Sequence, residues 1–209
     1  MAPPYPSRKA AASRKLLKDL PSEEEIAHIA SNLQGYEDAA MALLGCSCIQ
    51  NALLAFIKTK LVPLSKEDDQ RLFDGNQNGI ISTFSSQLRI AFAMGLIDRP
   101  VFDDLMLMYD IRNVFAHSIH PISFSHLYIE YDCGRLALSE VTKEMGDAAI
   151  AAGGEILMPH AKATYHNSIV MHFHSMIFAA KGIPARTPDE LTRAFTMVAR
   201  KKYTAPKSA

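Results

Sequence analysis

Apolar residues recur at helical spacing along most of the chain. The longest apolar stretch, about residues 37–60, is apolar almost all round, which is typical of a helix at the centre of its fold. Helical spacing returns over residues 82–95, 98–117, 136–152 and 155–181. The pattern therefore predicts an all-α bundle in which the other helices surround the 37–60 helix.

Helix-start signals support this division of the chain. Ser22 and Glu25 form a capping box before a first short helix, which Gly35 ends. Ser65 opens a second short helix in the same way. Thr187, followed by proline at the first helical position, predicts a last helix near the C-terminus.

One segment departs from the helical pattern. Residues 122–132 follow Pro121, alternate loosely between apolar and polar, and are rich in β-branched and aromatic side chains. We expect this segment to be extended or to form a short pair of β-strands.

The composition of the two ends predicts tails around a single domain. Residues 1–20 hold three prolines and five basic residues with little apolar content, which favours a disordered basic tail. Such an arm can touch nucleic acid, or it can simply keep the protein soluble. We expect one helical domain over residues 21–203 and a flexible tail over residues 204–209.

Composition and charge narrow the class of protein. The chain has 209 residues and a formal net charge of zero, so its overall charge indicates no nucleic-acid partner. The N-terminal residues lack the apolar core of a signal peptide, and Gln50 and Asn51 interrupt the longest apolar run. We therefore expect a cytoplasmic protein without a membrane span.

The cysteine and histidine spacings do not predict a metal or cofactor site. Cys46, Cys48 and Cys133 are odd in number and are expected to be reduced and buried. His172 and His174 are two residues apart, so on a helix they cannot share one metal ion. We expect no cofactor and no metal.

Arg112, Asn113 and His117 are the residues whose chemistry stands out. A histidine can move a proton to or from a ribose or leaving oxygen, an arginine can clamp a phosphate, and an asparagine can orient either group. Together they suffice for metal-independent RNA cleavage. The alternative is structural: His117 would interact with the helix C-terminus, and Arg112 would pair with a nearby aspartate at position 103, 104 or 110.

Helix geometry separates two of these three side chains. Asn113 and His117 are four residues apart and share a face, whereas Arg112 lies roughly 140° around the axis from His117. To act on one phosphate, Arg112 would have to bend round, His117 would have to lie past the helix end, or two chains would have to combine their copies at a dimer axis.

The surrounding sequence resembles a known family. Residues 84–97, with the ending Ala93-Met94-Gly95-Leu96-Ile97, and residues 105–118, which contain Ile111-Arg112-Asn113-Val114-Phe115-Ala116-His117-Ser118, resemble the MltR family, named after the mannitol operon repressor. The close match covers about 40 residues. This resemblance implies a transcriptional regulator without a DNA-binding motif of its own, which acts through a partner.

The same Arg112-Asn113-x-x-x-His117 segment is similar to the R-x4-6-H motif of the HEPN superfamily. That resemblance implies a helical bundle that forms a homodimer, with Arg112, Asn113 and His117 at an RNA-cutting or RNA-binding site. Our first hypothesis is a non-catalytic MltR-like regulator that binds a protein or RNA, without direct sequence-specific DNA binding. The alternative is a metal-independent endoribonuclease of a toxin or defence system.

Overall fold

A computed structural model describes residues 20–75 and 78–183. These residues form helices and loops without a strand, which confirms the all-α fold class. The expected basic tail up to residue 19, the helix predicted from Thr187 and the C-terminal tail lie outside the described residues. The helices are α1 (Glu23–Gln34), α2 (Asp38–Thr59), α3 (Lys66–Phe73), α4 (Phe84–Ala93), α5 (Arg99–His117), α6 (Leu127–Cys133), α7 (Ser139–Ala151) and α8 (His160–Ala180).

Helix α2 lies at the centre, as its all-round apolar composition predicts. It packs against α1, α4, α5 and α8, and Met41, Ile49 and Leu53 are fully buried. Within the described residues, α2 is the one helix that is long and apolar enough to cross a membrane. It packs against four other helices, as a core helix does.

The contact between α2 and α8 depends on a glycine. Gly45 is buried in the middle of α2, and a Cβ atom there would lie 2.9 Å from Cγ1 of Ile169 and closer still to its Cδ1. Ile169 is itself fully buried on α8. The missing side chain of Gly45 therefore allows α2 and α8 to approach closely.

The capping signals read from the sequence at Ser22 and Ser65 are confirmed. Glu25 N–H donates to Ser22 Oγ at 3.2 Å, while Ser22 N–H donates to Glu25 Oε2 at 2.7 Å. The Ser65 hydroxyl accepts a hydrogen bond from the backbone N–H of the third residue of α3. The Asp98 carboxylate accepts in the same way from the third residue of α5. Each of these helices thus begins where a side chain satisfies an otherwise free backbone N–H.

The expectation of an extended or β segment over residues 122–132 is wrong for its second half. Phe124, in the irregular first half, is fully buried against the rings of Phe115 and Tyr165. Residues from Leu127 onward form α6, in which Ile129 and Cys133 face the core. These two side chains are four residues apart, so the buried spacing follows the helical period despite the β-favouring composition.

Candidate functional site

Arg112 is placed at the margin of the core by the packing of α5. Met108, Ile111 and Phe115 define the buried face of this helix, and Arg112 follows next to that face, so its side chain is half-buried. Its Nη1 donates to Asn113 Oδ1 at 3.0 Å. The structure therefore brings two of the three predicted residues into contact.

Arg112 lines a cleft where α2, the start of α4 and α5 meet. The cleft has a volume of about 190 Å³ and is lined by Cys46, Ser47, Gln50, Thr83, Phe84, Tyr109 and Arg112. None of these seven residues is acidic. The cleft is open to solvent and combines one positive charge with neutral polar groups.

Cys46, which lines this cleft, belongs to a buried hydrogen-bonded group. The Cys46 thiol lies 3.1 Å from the Tyr165 hydroxyl, which donates to the Met108 carbonyl oxygen at 3.1 Å. Burial raises the pKa of Cys46 to about 11 and raises the pKa of Tyr165 well above its usual value, and the charge of Arg112 partly opposes both shifts. Both groups are therefore neutral near pH 7 and do not act as nucleophiles there.

His117 lies outside this cleft. It is the last residue of α5 and is exposed, about 7.5 Å further along the helix axis than Arg112. It is not among the residues that line the cleft. Within one chain the structure therefore joins Arg112 to Asn113 but does not bring His117 into the same recess.

The structural alternative for Arg112 fails among the described residues. Asp103 pairs with Arg99 at 2.8 Å, and Asp104 is occupied by His172. No carboxylate of residues 20–75 or 78–183 lies within 4.0 Å of the Arg112 guanidinium. Among the residues that the structure describes, Arg112 thus has no ion-pair partner at its partly buried position.

The Asp104–His172 pair is a feature that the sequence reasoning missed. Asp104 Oδ2 lies 2.5 Å from His172 Nε2, and its Oδ1 accepts from the Ala137 N–H at 2.8 Å. Both side chains are buried, so the pair ties α5, α8 and the loop before α7 together. A signal was present, because Asp104 falls four residues before Met108 on the apolar face of α5, where a polar group requires a partner.

Helix α6 presents an unusual apolar surface. Leu127, Tyr128 and Tyr131 are 72%, 73% and 68% exposed. Leu127 and Tyr128 lie four and three residues before Tyr131, so all three side chains are on the side of the helix away from the buried Ile129. The guanidinium of Arg135 lies 5.9 Å from the Tyr131 ring centre. We call the three exposed side chains the α6 face.

A second apolar patch lies at the end of α4. Phe92 and Phe102 rings are 5.1 Å apart, and the Arg99 guanidinium lies over both. Phe92 and Met94 are only 38% and 37% exposed, about half the value found on the α6 face. The α6 face is therefore the more accessible of the two for a macromolecular partner.

Comparison with known proteins gives one informative match. No protein-family profile matches the chain, and no curated protein matches it in sequence. The X-ray structure of the MtlR–HPr complex from Escherichia coli is similar in fold, with a TM-score of 0.56 and 16% sequence identity over 76% of this chain and 99% of that chain. The likeness shows that this chain shares the helical fold of that structure, in agreement with the all-α bundle predicted from the sequence.

Proposed function

We propose that this protein is a non-catalytic regulator in the cytoplasm that acts by binding a protein partner. The observation that carries this proposal is the shared fold with a chain that was solved as a complex with HPr. The neutral net charge and the lack of a recognisable DNA-binding motif in the sequence favour regulation of transcription through that partner rather than by direct base reading.

The α6 face is the surface that we assign to this partner. Tyrosine and arginine are enriched at the energetically important positions of protein interfaces, and Tyr128, Tyr131 and Arg135 provide them here. Leu127 adds exposed apolar area to the same side of the helix. HPr is the first partner to test, because it is bound in the structure with the same fold.

The proposal is tested by titrating the purified protein with HPr from its own organism in a calorimeter. We expect saturable binding, weakened about tenfold or more by the double variant Leu127→Ser, Tyr131→Ser. Val62→Ser is the matched control, since Val62 is 76% exposed but lies in the loop after α2. Equal affinity of the α6 variant and the parent would refute the assigned surface, and absence of any complex would refute HPr as partner.

The second candidate is the metal-independent endoribonuclease. It is favoured by the solvent access of His117 and by the lack of an ion-pair partner for Arg112 within residues 20–75 and 78–183. Because one chain does not unite these two side chains, this function would need a homodimer that combines Arg112 of one protomer with His117 of the other.

The two candidates are separated by incubating the parent protein and the His117→Ala variant with labelled structured RNA in EDTA. Cleavage by the parent that disappears in the variant would replace the regulatory proposal with the nuclease. Intact RNA in both reactions, with the protein folded, is the result that the regulatory proposal predicts.

A further inference from the structure

The cleft beside Arg112 has the properties of an anion site. Its single charged residue is a half-buried arginine whose hydrogen bond to Asn113 Oδ1 is to a neutral group. A partly desolvated charge is stabilised when it pairs with an opposite charge. No described carboxylate pairs with Arg112. An anion from solution would supply the missing charge.

Two neutral side chains in the same cleft can donate further hydrogen bonds. The Gln50 amide and the Tyr109 hydroxyl have no hydrogen-bond partner among the described residues. By contrast, the Ser47 hydroxyl donates to the Leu43 carbonyl oxygen, and the Thr83 hydroxyl donates to Ser86 Oγ. Gln50 and Tyr109 are therefore the groups that can join Arg112 in binding a ligand.

We propose that this cleft binds a phosphate group, either as free phosphate or as the terminal monoester of a small metabolite, with Arg112, Gln50 and Tyr109 as donors. A guanidinium can donate two parallel hydrogen bonds to one phosphate and leave further oxygens for neutral donors on α2 and α5. The volume of about 190 Å³ is below the range of roughly 300–1,000 Å³ for sites that enclose a whole ligand. The cleft thus holds the charged group, and the rest of a metabolite extends into solvent.

This site differs from the nuclease hypothesis in its composition. It lies within one chain, it uses residues of α2 as well as α5, and it does not include His117. It also goes beyond the proposed regulatory function, since it adds a small ligand that neither the fold nor the partner requires.

The test is calorimetric titration of the full protein with inorganic phosphate, glycerol 3-phosphate and acetate, with chloride holding the ionic strength constant. We expect saturable phosphate binding and at least tenfold weaker acetate binding, because a carboxylate offers fewer acceptors. A preference for glycerol 3-phosphate over phosphate would identify a monoester as the ligand, and the reverse order would identify the free ion.

Variants locate the site. Arg112→Gln and Tyr109→Phe should each weaken phosphate binding by about tenfold or more, the effect of losing one hydrogen bond to a charged group. Arg112→Lys keeps the charge and should retain part of the binding, which provides a second test if Arg112→Gln unfolds. Arg99→Gln and His117→Ala are controls outside the cleft and should bind as the parent does.

Three results would overturn the proposal. They are the lack of saturable phosphate binding, unchanged affinity in folded Arg112→Gln, and a loss in His117→Ala as large as in Arg112→Gln. The last result would assign the phosphate to the Arg112–His117 combination instead.

Discussion

Replacing Gly45 with alanine tests how closely α2 and α8 approach. In a helix alanine is favoured over glycine by about 1 kcal/mol, so the substitution alone would stabilise α2. The new Cβ, however, would overlap the fully buried Ile169 side chain, and overpacking of this kind costs about 1–3 kcal/mol. We expect Gly45→Ala to lower the free energy of unfolding by roughly 1 kcal/mol.

Gly146 provides a matched control in α7. A Cβ atom at this position would meet nothing within 4 Å. Gly146→Ala should therefore raise the free energy of unfolding by about 0.5–1 kcal/mol. The difference between the two variants isolates the overlap with Ile169 and should be about 1–3 kcal/mol.

Urea unfolding followed by far-ultraviolet circular dichroism measures both variants at one protein concentration. Ile169→Val removes the Cδ1 atom nearest to the new Cβ, so it should cost less in the Gly45→Ala background than in the parent. If Gly45→Ala stabilises the protein as much as Gly146→Ala does, the close contact between α2 and α8 is refuted.

Further predictions concern buried polar groups. Asp104→Ala should lower the free energy of unfolding by about 3 kcal/mol, because it leaves His172 without its buried partner; a loss below about 1 kcal/mol in urea unfolding would contradict this. Burial raises the pKa of Cys46 from 9.0 to about 11 and that of Cys133 to about 12, so the folded state retains protons that the unfolded state loses above pH 9. The free energy of unfolding should therefore fall between pH 8 and pH 10 by about 1.3 kcal/mol for each thiol. The Cys46→Ala variant should show a smaller fall than the parent over the same pH range. Iodoacetamide at pH 8 should modify the half-buried Cys48 before the other two, as peptide mapping would reveal, and faster labelling of Cys46 would disprove its burial.

The parts of the fold governed by local chemistry could be predicted from the sequence. The capping box at Ser22 and the N-cap at Ser65 act within three residues, so both helix starts followed directly from them. The central place of α2 followed from its apolar composition. Helix α6 was missed because its aromatic and β-branched residues favour strands locally, whereas burial of Ile129 and Cys133 decides its conformation.

The candidate site was predictable in part. Arg112 and Asn113 were identified by residue type, but the hydrogen bond between them was not predicted, because neighbouring side chains on a helix do not share a face. The cleft itself depends on Gln50 and Thr83, which come from distant parts of the chain, so no spacing rule reveals it. For the same reason the partnership of Asp104 with His172, 68 residues apart, required the tertiary structure.

The central claim is that this protein acts by binding a protein partner, and one titration tests it most directly. HPr from the same organism is added to the purified parent protein, and the heat of binding is measured. The account predicts saturable formation of a defined complex. If folded protein gives no binding signal, the result would contradict the account by refuting HPr, the partner to which the shared fold points.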